Sequence, residues 1–71
     1  MRVFSPARFA TARKRAGLSQ TRLGEQIGVS LTGVNRIEKG HRSPSLTTLL
    51  AAADAMGATL DELMFNTEET N

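Results

Sequence analysis

The stretch Gln20–Gly40, QTRLGEQIGVSLTGVNRIEKG, decides the fold. It reads as two short helices joined by a three-residue turn. Ser19 and Ser30 each stand just before a helical run. A serine oxygen there accepts from the otherwise orphaned amides of the first turn. Gly28 and Val29 follow Ile27, the last apolar residue of the first run. Glycine suits that place because ending a helix usually takes a positive φ. Val29 then turns the chain inward. Leu23 and Ile27 are one turn apart, as are Val34 and Ile37, so each helix carries one apolar stripe and the stripes face each other. Gly24 falls where the helices would cross, and its missing side chain allows close approach. Gly40 closes the second helix.

The flanks extend the pattern. Ser5-Pro6 is a helix start: serine caps, and proline fits the first helical position, where its missing N–H costs nothing. Phe9, Ala12 and Ala16 mark the inward stripe of this helix, which should stop at Gly17. Arg13, Lys14 and Arg15 crowd its last turn, favourably placed against the helix dipole. Leu18 packs before the cap Ser19. A capping box would put Glu or Gln at residue 22, but the chain has Arg22, which is adverse to the dipole and suits a phosphate. Pro44-Ser45 starts a fourth helix with the stripe Leu46, Leu49, Leu50, Ala53 and Met56, ended by Gly57. Thr59-Leu60-Asp61-Glu62 reads as a capping box opening a short fifth helix through Met64. Residues 1–4 precede any helix signal and are expected to be loosely held. Residues 66–71, NTEETN, are expected to be a disordered tail.

Seventy-one residues predict one domain over 1–71, with a single small core between about residues 5 and 65. There is no cysteine, so neither a disulfide nor a thiolate metal site can form, and a reducing cytoplasm is compatible. No apolar run approaches the roughly 18 residues of a membrane span. Net charge is only +2, but its distribution is uneven. All nine Lys and Arg lie in residues 1–42, opposed only by Glu25 and Glu38; residues 43–71 carry five acids and no cation. A basic segment of this kind can meet phosphate while the acidic end faces away. Enzyme chemistry is not expected. His41 is the single histidine, no glycine-rich loop follows a strand, and Asp61-Glu62 point apart on a helix. Neither metal nor cofactor is implied. An RNA partner would want exposed aromatics for stacking, and Phe4, Phe9 and Phe65 are the only ones.

The stretch from Gln20 resembles the helix-turn-helix of the phage-repressor and Cro-like family of DNA-binding proteins, the xenobiotic-response-element type of regulator. The matching positions are Gln20 after Leu18-Ser19, then Gly24, Gly28, Val29, Val34 and Ile37. Glycine at 24 departs from the family's usual alanine. The likeness continues through IEKG and SPSLTTLLAAADAMG and covers about residues 6 to 64.

The resemblance implies an all-α, five-helix, lambda-repressor-like domain with the helix-turn-helix at helices 2 and 3. It also implies a transcriptional regulator, a repressor above all, that binds double-stranded DNA at a pseudo-palindromic operator as a homodimer. Helix 3 is then the recognition helix. Leu31, Thr32, Asn35 and Arg36 lie opposite Val34 and Ile37 and are expected to contact bases. Gln20, Arg22, Arg42 and Ser43 are expected to contact phosphates. Gly33 would leave a bare surface there. Family members pair an arginine and a glutamate at the positions of Arg13 and Glu38, implying an ion pair between helices 1 and 3. Leu60, Leu63, Met64 and Phe65 form an apolar set that a short fifth helix would leave exposed, and they are expected to make the dimer interface. The acids Asp61, Glu62, Glu68 and Glu69 would keep that interface small and the free dimer weak. Such a protein would be cytoplasmic and associated with the nucleoid. The alternative is an antitoxin or adaptor of the same fold that grips a toxin or other protein partner.

Overall fold

The computed structural model describes residues 1–67. Along the chain run strand β1 (Arg2–Phe4) and helices α1 (Pro6–Arg15), α2 (Gln20–Ile27), α3 (Leu31–Glu38) and α4 (Leu46–Met56). A single 3-10 turn (Asp61–Leu63) and strand β2 (Met64–Asn66) follow. Every α-helix begins on a serine. The hydroxyls of Ser5, Ser19, Ser30 and Ser45 accept from the amides of Arg8, Arg22, Gly33 and Thr48. Each such cap contributes about 1 kcal/mol. They matter here because helices of 8 to 11 residues are too short to persist in water on propensity alone.

The turn between α2 and α3 is built by two glycines. Gly28 takes the left-handed conformation at φ 71°. Gly24 lets the turn fold back against α2: a Cβ there would lie 2.3 Å from the Val29 carbonyl oxygen and 3.4 Å from Val34 Cγ2. The space is therefore filled first by the turn's own backbone and only then by α3. Alanine, usual at this place in the family the chain resembles, would require the turn to shift. The returning chain is held by the Val29 N–H, which donates to the Gly24 carbonyl at 2.9 Å.

The core gathers Phe9 and Ala12 of α1, Leu23 of α2, Val34 and Ile37 of α3, and Leu49, Ala52, Ala53 and Met56 of α4. Leu63 of the 3-10 turn completes it. No polar side chain of the described residues is buried in it.

Several expectations are corrected. Four α-helices form, not five, and the mostly helical fold also holds a two-stranded antiparallel ribbon that pairs Arg2 with Asn66, Val3 with Phe65 and Phe4 with Met64. The Thr59 hydroxyl does accept from the Glu62 amide at 3.2 Å, so the cap exists. It opens only one tight turn, because the backbone beyond it is satisfied by β1. The Ser5 N–H donates to the Leu63 carbonyl, and the Thr67 N–H to the Met1 carbonyl, both at 2.9 Å. Residues 2–4 are thus an ordered strand. Phe4 packs edge-on against Phe9, with ring centroids 5.7 Å apart. Asn66 and Thr67 belong to the ordered ribbon end, while 68–71 lie outside the described residues. The stripe of α4 is also displaced. Leu46 and Leu50 are 64% and 50% exposed, and Ala52 is buried instead. Ala16 ends α1 in solvent as its C-cap.

These positions separate cleanly in stability. Leu63→Ala should cost about 2–5 kcal/mol, as a fully buried leucine does, although it lies at the end of the fold. Leu46→Ala should stay within about 0.5 kcal/mol of the parent. Urea unfolding of both variants checks this; equal midpoints would contradict the burial described.

Candidate nucleic-acid interface

Helix α3 carries the face of interest, and its attachment comes first. Val34 and Ile37 are wholly buried and fix its inner side. Its last residue is Glu38, a carboxylate at the negative end of a helix dipole, which is locally unfavourable. Arg13 of α1 offsets that cost. Its Nε lies 2.6 Å from Oε2 of Glu38 and its Nη2 3.1 Å from Oε1, a two-pronged pair. The same guanidinium donates through Nη1 to the Leu18 carbonyl at 2.9 Å. Gln20, the first residue of α2, donates its Nε2 to Oε1 of Glu38 at 3.1 Å. The side chains of Arg13 and Glu38 are only 11% and 8% exposed. One knot therefore ties α1, the α1–α2 loop, the start of α2 and the end of α3. Gln20 is expected at phosphate from the sequence; in the structure its amide nitrogen is engaged in this knot. Leu18's carbonyl was not legible as a member, since a backbone acceptor leaves no mark in residue identity.

With α3 so held, its outer side presents Leu31, 52% exposed, together with exposed Thr32 and Arg36, while Asn35 is half-buried. Arg22 near the start of α2, and Arg42 and Ser43 in the loop after α3, are also exposed. Arg22, Arg36 and Arg42 make no side-chain hydrogen bond or ion pair among the described residues. Their charges are left for solvent or for a ligand. The expected bare surface at Gly33 is not found. Gly33 is buried, and the space beside it is filled by Val29 and by the guanidinium of Arg42.

The ribbon and the start of α1 use their cations internally. Arg2 pairs with Asp61. Arg8 donates to the Met64 carbonyl at 2.7 Å, and its guanidinium carbon lies 5.7 Å from the centre of the Phe65 ring. The apolar set expected at a dimer interface is divided. Leu63 is fully buried in the monomer core and is withdrawn from it, because the 3-10 turn points its side chain inward. Leu60, Met64 and Phe65 remain half-buried. Among the described residues, no group of three or more His, Cys, Asp and Glu is placed to hold a metal. No helix among them is long and apolar enough to cross a membrane.

Residues 9–63 match the helix-turn-helix protein family. The cryptic phage CTXphi transcriptional repressor RstR of Vibrio cholerae is 36% identical over 56 residues, 79% of this chain and 50% of that protein, so the chain spans half of its length. An uncharacterized HTH-type transcriptional regulator of Sinorhizobium fredii, y4dJ, is 34% identical over 70 residues, covering 99% of this chain and 91% of the other. Among solved structures, the restriction-modification controller protein C.AhdI of Aeromonas hydrophila superimposes with a TM-score of 0.76. It is 33% identical, over 82% of this chain and 88% of that one. The P22 c2 repressor in complex with a synthetic operator gives a TM-score of 0.77 at 28% identity, over 86% and 92% of the two chains.

The knot yields a double-mutant test. Arg13→Ala or Glu38→Ala alone should each cost about 3–5 kcal/mol, because each strands a nearly buried charge. The double variant should cost clearly less than their sum. Denaturant unfolding of the four proteins gives the coupling; strict additivity would reduce the pair to a surface coincidence.

Proposed function

The chain belongs to the helix-turn-helix family, and on that footing we propose that it is a sequence-specific DNA-binding regulator of transcription that acts as a repressor. The observation that carries the proposal is the outward side of α3, where Leu31, Thr32 and Arg36 are exposed and Asn35 is half-buried, together with the exposed, unpaired cations of Arg22 and Arg42. A helix of this size fits the major groove, and its first two turns reach base edges. Arg36 presents two parallel donors to the O6 and N7 of a guanine. Asn35 can bond both to and from adenine at N6 and N7. Thr32 and Leu31 offer methyl groups to thymine. Arg22, Arg42, Ser43 and the start of α2 at Gln20 meet phosphates, which sets register without reading sequence. The P22 c2 repressor, similar in fold, is known bound to an operator, and this supports the same use of the face here.

The operator would be a pseudo-palindrome bound by a homodimer, with half-sites centred about 34 Å apart. Support comes from the half-buried apolar Leu60, Met64 and Phe65, which a second copy would cover about a twofold axis. Covering a promoter in this way represses by occlusion.

Selection of binding sites from random duplexes should return such a palindrome. Against the selected site, Arg36→Ala should lose about 1–3 kcal/mol and relax the preference at one base pair. Arg42→Ala should instead weaken all sequences alike and flatten the dependence of log K on log salt. A selected sequence unchanged by Arg36→Ala would show that α3 is not read in this register. A single half-site bound at a ratio of one to one would overturn the dimer.

A further inference from the structure

Arg42 is nine residues beyond Gly33 in the chain, yet its guanidinium lies against it. A Cβ built on Gly33 would stand 2.8 Å from Nη1 of Arg42, 2.6 Å from Cγ1 of Val29 and 3.3 Å from Oγ of Ser30. The loop after α3 therefore sends this side chain back along the helix to its first turn. At this position the guanidinium occupies space that a side chain at residue 33 would contest. Gly33 has no unusual backbone: it lies inside α3, its N–H bonded to the Ser30 hydroxyl at 3.0 Å, and its φ is not positive. Conformational freedom does not explain the glycine. What it provides is room.

We infer that Gly33 is a positioning residue that holds the Arg42 guanidinium at the first turn of the recognition helix, ready for a phosphodiester oxygen of bound DNA. The inference rests on the DNA-binding reading above and goes beyond it. A loop arginine is ordinarily free among many rotamers, and ordering it on binding offsets part of what its contact contributes. Here the space at Gly33 gives it a place against the helix before DNA arrives. That place also sets the cation beside the positive end of the α3 dipole, where an anion is favoured and a cation is not. Arg42 has no carboxylate or hydrogen-bond acceptor among the described residues. A phosphate arriving there meets the guanidinium and the helix amides together, which relieves the mismatch.

The test uses the full chain and a random-sequence duplex of about 30 bp, because phosphate contacts act on any sequence. Parent, Gly33→Ala, Arg42→Ala and the double variant are titrated across a range of salt. Arg42→Ala should lose on the order of tenfold in affinity, the worth of one charge-assisted hydrogen bond. It should make the log K against log salt slope shallower by about 0.9, the loss of one phosphate contact. Gly33→Ala should reproduce both changes, and the double variant should add nothing to either single one. Because the added methyl also meets Val29, Gly33→Ala is made again in a Val29→Ala background, with thermal unfolding followed by circular dichroism. There the pressure on Val29 is removed and the flattened slope should persist. A Gly33→Ala protein with the parent's slope, in either background, would overturn the inference and leave DNA binding intact. So would a double variant flatter than both single ones. A parent that binds no duplex at any salt would overturn the reading itself and the inference with it.

Discussion

The position of α3 depends on a carboxylate. Glu38 ends the helix at the pole of its dipole that repels negative charge, and it is 8% exposed. Unpaired, it would oppose both the helix and the core behind it. The forked guanidinium of Arg13 removes that opposition with two parallel bonds, and no point charge could reproduce the geometry. The same guanidinium also donates to the Leu18 carbonyl, while Gln20 donates to Oε1 of the carboxylate, which it shares with Arg13 Nη2. Three elements thus share one polar centre at the edge of a core that is otherwise apolar. An eight-residue helix, about 12 Å long, has little hold of its own. Val34 and Ile37 set its depth, and the Glu38 knot sets its direction. The proposed reading face is accordingly carried by a rod fastened along one side and at one end, with Leu31, Thr32 and Arg36 left exposed.

Much of this was legible in residue order because the signals are local. A serine three residues before an orphaned amide forms its bond without help from distant parts of the chain, so Ser5, Ser19, Ser30 and Ser45 mark the helix starts. The Gly28 turn is likewise local. The failures share the opposite cause. The ribbon joins Arg2–Phe4 to Met64–Asn66 across nearly the whole chain, and three-residue strands leave too little alternation to be seen. Once β1 supplies bonds to residues 63–67, a fifth helix has no advantage, and Leu63 goes inward. In α4 the run Leu46–Met56 is apolar almost throughout. Three successive alanines and the adjacent pair Leu49-Leu50 satisfy more than one stripe, so periodicity could not choose between Leu50 and Ala52. Tertiary packing buried Ala52 and left Leu50 half exposed. At the site, exposure of Leu31, Thr32 and Arg36 followed from their spacing. The crowding at Gly33 did not, because it depends on where a loop side chain lands.

The ribbon also sorts the charges. Of the nine cations, Arg2 is neutralised by Asp61, Arg8 is bonded to the Met64 carbonyl, and Arg13 is in the knot. The remaining six, Lys14, Arg15, Arg22, Arg36, Lys39 and Arg42, make no side-chain hydrogen bond or ion pair among the described residues. By pairing β1 with β2, the fold brings Asp61 to Arg2. A net charge of +2 therefore understates the field near α2 and α3, and the proposed DNA partner would meet a cationic surface on a nearly neutral protein.

The first turn of α3 is where local preference and structure disagree most. A glycine in a helix costs about 1 kcal/mol relative to alanine, and Gly33 gains nothing back in backbone conformation. The helix pole beside it favours an anion, yet Arg42 is placed there. Leu31, the first residue of the helix, is half in water. A single exposed leucine is ordinary, and so is a single glycine. All three within one turn, on the element that the rest of the fold exists to hold still, are not what stability alone would select. Single departures occur elsewhere, at Arg22 in the first turn of α2, at Glu38 at the end of α3 and at the exposed Leu46 and Leu50 of α4. The first turn of α3 gathers three, and such a cluster suits a place that a partner would complete. In the proposed complex a phosphate and a base edge would supply what that turn lacks, an anion for the guanidinium and the helix pole and an apolar methyl for the leucine.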